Sequence, residues 1–393
     1  MAEGQSAEYV ASRCPQCGAG LPPGQEQVLC AYCGTWLIRR QDAAGQAEPA
    51  YVQGLRLKPL VCMDTQGLGI EALRLLMPVG WEFNGGVYWP MDNPAMPAVI
   101  AFQVYNPAGH EALEVLPNLA FYWTTNPMTL MTCPPGSRYF GNEVRPPVGA
   151  VQALCEVVVP RFRGRVPGVR VVRQEPLPEL ARAVGAGAAV AGGTTWADSA
   201  RIRLCYTWGG NAIEEDLYGV VEVTRVPVPA LFGMAENIFW MVDYLFSCRA
   251  AAGRLDGLAD LFRVLAHSIR LNPQWHVRCQ QVIQYLVQNQ IQHIRNIGQI
   301  SRMISQTAAE AREDQLASYY HRQQVMDRLA TDWSQTIRGV DEYHNPFEGR
   351  PVELPAGYRQ AWVNNLGEYI LSDDLNYNPN IGSNLHWEPM QRR

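Results

Sequence analysis

The sequence predicts an α+β multidomain chain. Its expected parts are a small four-cysteine element, an antiparallel sheet with flanking helices, a long coiled-coil-type helix and a small C-terminal β-meander. Three observations predict this. Two CxxCG knuckles stand close together near the N-terminus. A long middle region alternates β-rich runs with Gly, Pro and Asn, and carries helical spacing at its centre and its end. A helix-friendly stretch then follows Pro273, before a turn-rich, aromatic C-terminus.

Bulk properties bound the function. The chain has 393 residues, enough for two or three domains with a sizeable core. Hydrophobic residues make up 47% and charged residues 18%, which suits a folded protein. A net charge of -5 disfavours wholesale binding to a phosphate backbone. Lys58 is the sole lysine, and arginine supplies the remaining positive charge. The N-terminal residues lack the charged and apolar regions of a secretory signal, and no apolar run is long enough to span a bilayer. The longest, from Ile238 to Ser247, is interrupted by Asp243. These features predict a soluble, cytoplasmic protein with reduced thiols. Cys62, Cys133, Cys155, Cys205, Cys248 and Cys279 are scattered, and read as small buried hydrophobes.

Residues 1–40 hold the knuckles CPQCG (Cys14, Cys17) and CAYCG (Cys30, Cys33). Two tight turns, each presenting two thiolates, meet the demand of Zn²⁺ for four soft ligands in a tetrahedron. Residues 11–40 resemble the zinc-ribbon family on these motifs. The resemblance implies a structural zinc held by Cys14, Cys17, Cys30 and Cys33. Four thiolates leave no open position for water, so this metal is not expected to be catalytic. Arg13, Arg39 and Arg40 add modest positive charge, too little to favour nucleic acid.

Residues 41–54 are small, polar and Pro/Gly-bearing, and read as a linker. Residues 55–272 read as an α+β sandwich. ALRLLMPVGWEF, GGVYW, AVIAFQVY and AFYWTT are strand-like, and so are VRVVRQE, RIRLCYTW and YGVVEVTRV. The alternation in RIRLCYTW and VVEVTRV predicts strands with one solvated face. Val148, Val151, Leu154, Cys155 and Val158 have helical spacing. Leu255, Leu258, Leu261, Phe262, Leu265 and Ile269 mark a second amphipathic helix. Strand order and the Pro78-x-Gly80-Trp81 phrase resemble the PsbP-like superfamily over about 60–272. That resemblance implies a sheet flanked by helices and a role in binding or assembly.

From 274 to 338 only Gly298 interrupts a helix-friendly composition. Apolar residues recur every three or four positions through Ile283, Val287, Ile291 and Ile294, and later through Leu316, Met326 and Leu329. One continuous helix would reach roughly 95 Å and need a partner. Either a second copy supplies that partner or two helices fold back near Gln306–Glu313. With no turn residue visible there, the length favours pairing between copies, hence a homo-oligomer.

Residues 344–393 read as a small β module, with a hairpin turn at Asn364-Asn365-Leu366-Gly367. Leu354, Pro355, Gly357, Gly367, Tyr369, Trp387 and Pro389 resemble a WW domain. Tyr358 replaces the family's first tryptophan, and the second loop is longer than the family's. The resemblance implies a peptide groove formed by Tyr369 and Trp387, with Tyr358 beside it. The alternative is a meander whose aromatics are buried.

No GxSxG, P-loop, GxGxxG after a strand, or HExxH is present. His276 and Cys279 stand one helical turn apart but need further ligands to hold a metal, so a satisfied helix histidine is the simpler reading. The sequence therefore predicts a non-enzymatic binding or scaffold protein that engages protein partners through its α+β and C-terminal modules. One alternative is an enzyme with its site in the α+β domain, using Glu214, Glu215, Asp216, Tyr218 or His110. The other is nucleic-acid binding through the ribbon.

Overall fold

A computed structural model describes residues 21, 27–31, 36–39, 51–90, 93, 96–183, 193–231, 233–288, 313–332, 340–381 and 383–392. Three long strands, Thr194–Trp208, Asn211–Ala230 and Gly233–Ala251, form the centre of a ten-stranded sheet. The first two join through Gly209 and Gly210, both at positive φ (57° and 82°). A two-residue turn of this kind matches the twist of the strands it connects. Beyond Gly233–Ala251 the sheet continues through Ala112–Val115, Val99–Tyr105 and Glu82–Tyr88.

Gly233–Ala251 divides its pairing. Asn237–Val242 pairs with Leu119–Thr124, and Phe246–Arg249 pairs with Ala112–Val115. Between the two halves the ladder with the neighbouring strand slips at Tyr218/Val220. Here Tyr244 takes φ +50°, a left-handed backbone costly for a bulky side chain. Gly219 sits opposite, where a Cβ would lie 2.9 Å from Leu154 Cδ2 and 3.0 Å from Leu245 Cδ2.

Each face of this sheet is covered. On one face, Ile202, Leu204, Leu217, Val221 and Trp240 pack against a helix that begins as Ala150–Ala153. That helix widens to a π turn over Leu154–Val158 and closes as Val159–Arg163. Pro160 has no N–H for the regular helical ladder, which accounts for the wider turn at this point. On the other face, Tyr218, Val220 and Phe246 meet the helix Ala259–His267 and the strand Glu71–Pro78. Trp81 packs edge-on against Phe262, with ring centroids 6.4 Å apart.

The second sheet has eight strands and unites the two ends of the chain. Its central strand, Tyr51–Met63, begins inside the expected linker. It pairs with Trp36–Arg39, with Glu71–Pro78 and with Tyr369–Ser372. The C-terminal hairpin Gln360–Asn364/Tyr369–Ser372 forms as predicted. It shares a core with Leu57 and with Val264 of the Ala259–His267 helix.

One part of the expected fold class is corrected. Strands dominate, and no helix among the described residues is a long coiled-coil-type helix. In place of one helix over 274–338, the structure describes Pro273–Gln288, of 16 residues, and Glu313–Asp332, of 20 residues. They lie side by side in opposite directions. Gln284 meets Gln315, His276 meets Ser318, and Leu271 just before the first helix accepts from Tyr319. Of the expected stripe, Ile283 and Met326 pack against core residues of this chain, and Ile291 and Ile294 lie outside the described residues. Leu286 and Val325 are each 0% exposed.

Candidate functional site

A cavity of about 470 Å³ opens between the inner face of the large sheet and this helix pair. Ile100, Phe102, Leu113, Val115, Met241 and Ile283 supply apolar walls. Glu222, Asp243, His276, Ser318 and Arg322 supply polar groups. The ladder places the two carboxylates. Glu222 pairs with Met241 and Val220 pairs with Asp243, so Glu222 and Asp243 are diagonal neighbours on one face. Such neighbours stand about 7 Å apart at Cβ.

Asp243 is 2% exposed and bound bidentately by Arg322 from the Glu313–Asp332 helix. Nη2 donates to Oδ1 at 2.8 Å and Nη1 to Oδ2 at 2.9 Å. Asp243 Oδ1 also accepts the Tyr244 backbone N–H at 2.6 Å. The Arg322 guanidinium lies 4.8 Å from the Tyr244 ring centroid. One ion pair thus ties the helix to the sheet and holds the left-handed residue in place. Burial, then the charge of Asp243, pushes the Glu222 carboxyl up to about 7, with Arg322 opposing. Burial, then Arg322, pushes His276 down to about 4. Near pH 7 the polar side of the cavity therefore holds a compensated ion pair, a neutral imidazole and a carboxyl close to its midpoint.

A second carboxylate fixes the other helix. Asp64 is 0% exposed and accepts from Gly67 N, Leu68 N, Trp89 Nε1 and Trp275 Nε1 at 2.8 to 3.1 Å. Trp275 belongs to Pro273–Gln288, so this acceptor anchors the helix that carries His276. Cys279 also lines the cavity, but burial pushes its thiol up to about 12, leaving it inert.

The candidate residues read from the sequence lie elsewhere. Glu215 is 0% exposed and paired with Arg163, which also reaches Glu114 and Ser247. Asp216 is held by Arg203, which also binds Asp256. Glu214 accepts the Gly253 N–H. Tyr218 stacks on Phe246 at 4.7 Å. These groups are committed to packing and ion pairs between strands. His110 borders a separate cavity of about 210 Å³, beside Tyr105, Glu111, Trp208 and Arg249.

Tyr369 (4% exposed) and Trp387 (3%) are interior residues, and Tyr369 Oη accepts from Asn345 Nδ2. Tyr358 is half-buried against the core around Leu57. The Tyr369 and Trp387 rings both lie in the interior, where the alternative of a meander with buried aromatics puts them. Of the four expected zinc ligands, Cys14, Cys17 and Cys33 lie outside the described residues, and Cys30 is buried. Among the described residues no group of three or more His, Cys, Asp or Glu side chains could hold a metal ion. The coiled-coil expectation fails with the long helix. No described helix is long and apolar enough to cross a membrane.

Glu222 and Asp243 were missed as a site, although both left a trace. Each is an acidic residue flanked on both sides by apolar residues within a strand run, VVEVTRV and IFWMVDYLF. No protein-family model matches the chain, and no curated protein matches it.

Proposed function

We propose that this chain is a non-enzymatic binding protein whose sheet–helix cavity takes a small, largely apolar ligand. One observation carries the reading. A cavity of about 470 Å³ has mostly apolar walls, and a smaller set of polar groups lines it too, among them Glu222 and the Asp243–Arg322 pair. Binding sites for small molecules have this composition, apolar over most of the surface with a few polar groups that set orientation. The electrostatics narrow the ligand. Asp243 and Arg322 compensate each other, and Glu222 in its protonated form donates a hydrogen bond. A neutral molecule with a carbonyl or ether acceptor at one end complements this arrangement, whereas a carboxylate would face Glu222 and Asp243.

Titration of the full chain with Nile red, a neutral apolar fluorophore, tests the proposal. Saturable binding is expected, weakened at least about tenfold by Ser318→Trp, which places a large ring at the helical wall. Ile283→Trp is expected to act the same way from the other helix. Absence of saturable binding, or equal binding by both variants and the parent, would sink it.

Acid–base chemistry on the bound ligand is a second reading. It is favoured by one observation, a carboxyl titrating near neutrality beside a carboxylate locked onto arginine. It requires turnover that Glu222→Gln abolishes while Nile red binding persists.

A further inference from the structure

The hairpin Asn211–Ala230/Gly233–Ala251 projects beyond its neighbours. The adjoining strands end opposite Arg225, paired with Thr194, and opposite Asn237, paired with Thr124. Pairing inside the hairpin continues to Ala230 and Gly233. At about 3.3 Å per residue, Val226–Ala230 carries the tip roughly 15 Å past the sheet. Leu231 is 75% exposed there and Met234 69%. The base of the projection is tied to a second apolar segment. Thr125 N donates to Glu236 O at 3.0 Å, and Glu236 N donates to Thr125 Oγ1 at 2.8 Å. The short helix Pro127–Thr132 follows at once, with Met128 and Met131 exposed. No charged residue occurs from Val226 to Ala235 or from Asn126 to Ser137.

Pro227 and Pro229 occupy alternate positions along one edge of the projecting hairpin. A proline cannot donate, so the ladder tolerates them only where the N–H would point away from the partner strand. The outer edge therefore lacks donors at both positions. Such an edge cannot template an added strand, which disfavours a protein partner docking by strand addition. It also carries fewer unsatisfied groups into an apolar medium.

We propose that the hairpin tip, with the Met128/Met131 turn at the base of the projection, docks the chain on an uncharged lipid bilayer. Leu231 and Met234 would enter the boundary between headgroups and acyl chains. The projection exceeds the roughly 5–10 Å depth of that boundary. The absence of lysine and arginine from both segments leaves no attraction for anionic headgroups, so the surface fits zwitterionic lipid.

Co-sedimentation of the full chain with phosphatidylcholine vesicles tests the proposal. Binding is expected, indifferent to added salt and to replacement of part of the lipid by phosphatidylserine. The double variant Leu231→Asp/Met234→Asp should reduce partitioning at least about tenfold, and Met131→Asp should reduce it less. These side chains are exposed, so the thermal midpoint should match the parent and separate lost docking from lost folding. Failure of the parent to co-sediment overturns the proposal, as does equal partitioning by the double variant. Binding that needs phosphatidylserine and disappears in salt overturns it too, as does tip-dependent self-association without vesicle binding.

Discussion

Glu222 and His276 face one cavity and should impose opposite pH dependences on stability. The ordinary carboxyl value of 4.5 rises to about 7 at Glu222 through burial and Asp243. The folded chain therefore holds this proton more tightly than the unfolded chain does. The stability it contributes is complete below pH 4.5 and is lost as pH rises to about 7. At His276 the ordinary 6.5 falls to about 4 through burial and Arg322. That contribution is complete above pH 6.5 and is lost as pH falls to about 4. At 1.36 kcal/mol per pH unit, each gap corresponds to roughly 3 kcal/mol. Glu222 is only partly buried, so its share is nearer about 2 kcal/mol after solvent screening. The two slopes overlap and oppose, so their sum in the parent is shallow. Urea unfolding of the parent, Glu222→Gln and His276→Gln from pH 4.5 to 8 resolves them. Relative to the parent, Glu222→Gln should gain stability as pH rises, reaching about 2 kcal/mol at pH 8. His276→Gln should lose stability relative to the parent by a similar amount over the same range. Groups common to all three proteins cancel in these differences. Three parallel curves would refute the reasoning, because neither group could then be titrating differently in the folded chain.

Three further outcomes follow from the same contacts. Arg322→Met should cost about 3 kcal/mol by leaving Asp243 buried without its partner, and adding Asp243→Asn should restore most of the loss, both read by urea unfolding. Gly219→Leu should lower stability by about 2 kcal/mol, since Leu154 and Leu245 already fill the space a Cβ would need. Elemental analysis of the intact chain tests the four-cysteine expectation, which requires about one zinc per chain, displaced in Cys30→Ser.

The legible parts of the fold were those set by local chemistry. Asn364 to Gly367 turns the hairpin that the sequence marks, and the alternation in RIRLCYTW and VVEVTRV does lie on strands. The helix read at Val148–Val158 forms, as does the one around Phe262. The alternation misled about what covers the strands. Arg201 and Arg203 were expected on a solvated face, yet they are mostly buried and paired with Glu175 and Asp216. Period two reports which residues share a face, not whether another layer covers it. Glu214-Glu215-Asp216 suffered from the same blindness. Consecutive acids alternate between faces, so Glu215 and Asp216 enter separate ion pairs and never converge.

The helix pair shows why the cavity escaped the sequence. A stripe of residues three or four apart identifies a buried helical face, but not the surface that buries it. The Glu313–Asp332 helix delivers Val325 into the core of the large sheet and Gln315 against Gln284 of its neighbour. Between these points Ser318, His321, Arg322 and Gln323 line the space over the sheet. Ser318 is too short to fill the volume that a larger apolar side chain would fill there, and Arg322 spends its length reaching Asp243. The open space thus lies where polar positions interrupt an otherwise apolar contact. From the sequence a second copy is the expected partner of this stripe, which gives no reason to single out Ser318 or Arg322. With the sheet as the partner of this helix, these polar positions border the space in which the proposed ligand would meet Glu222.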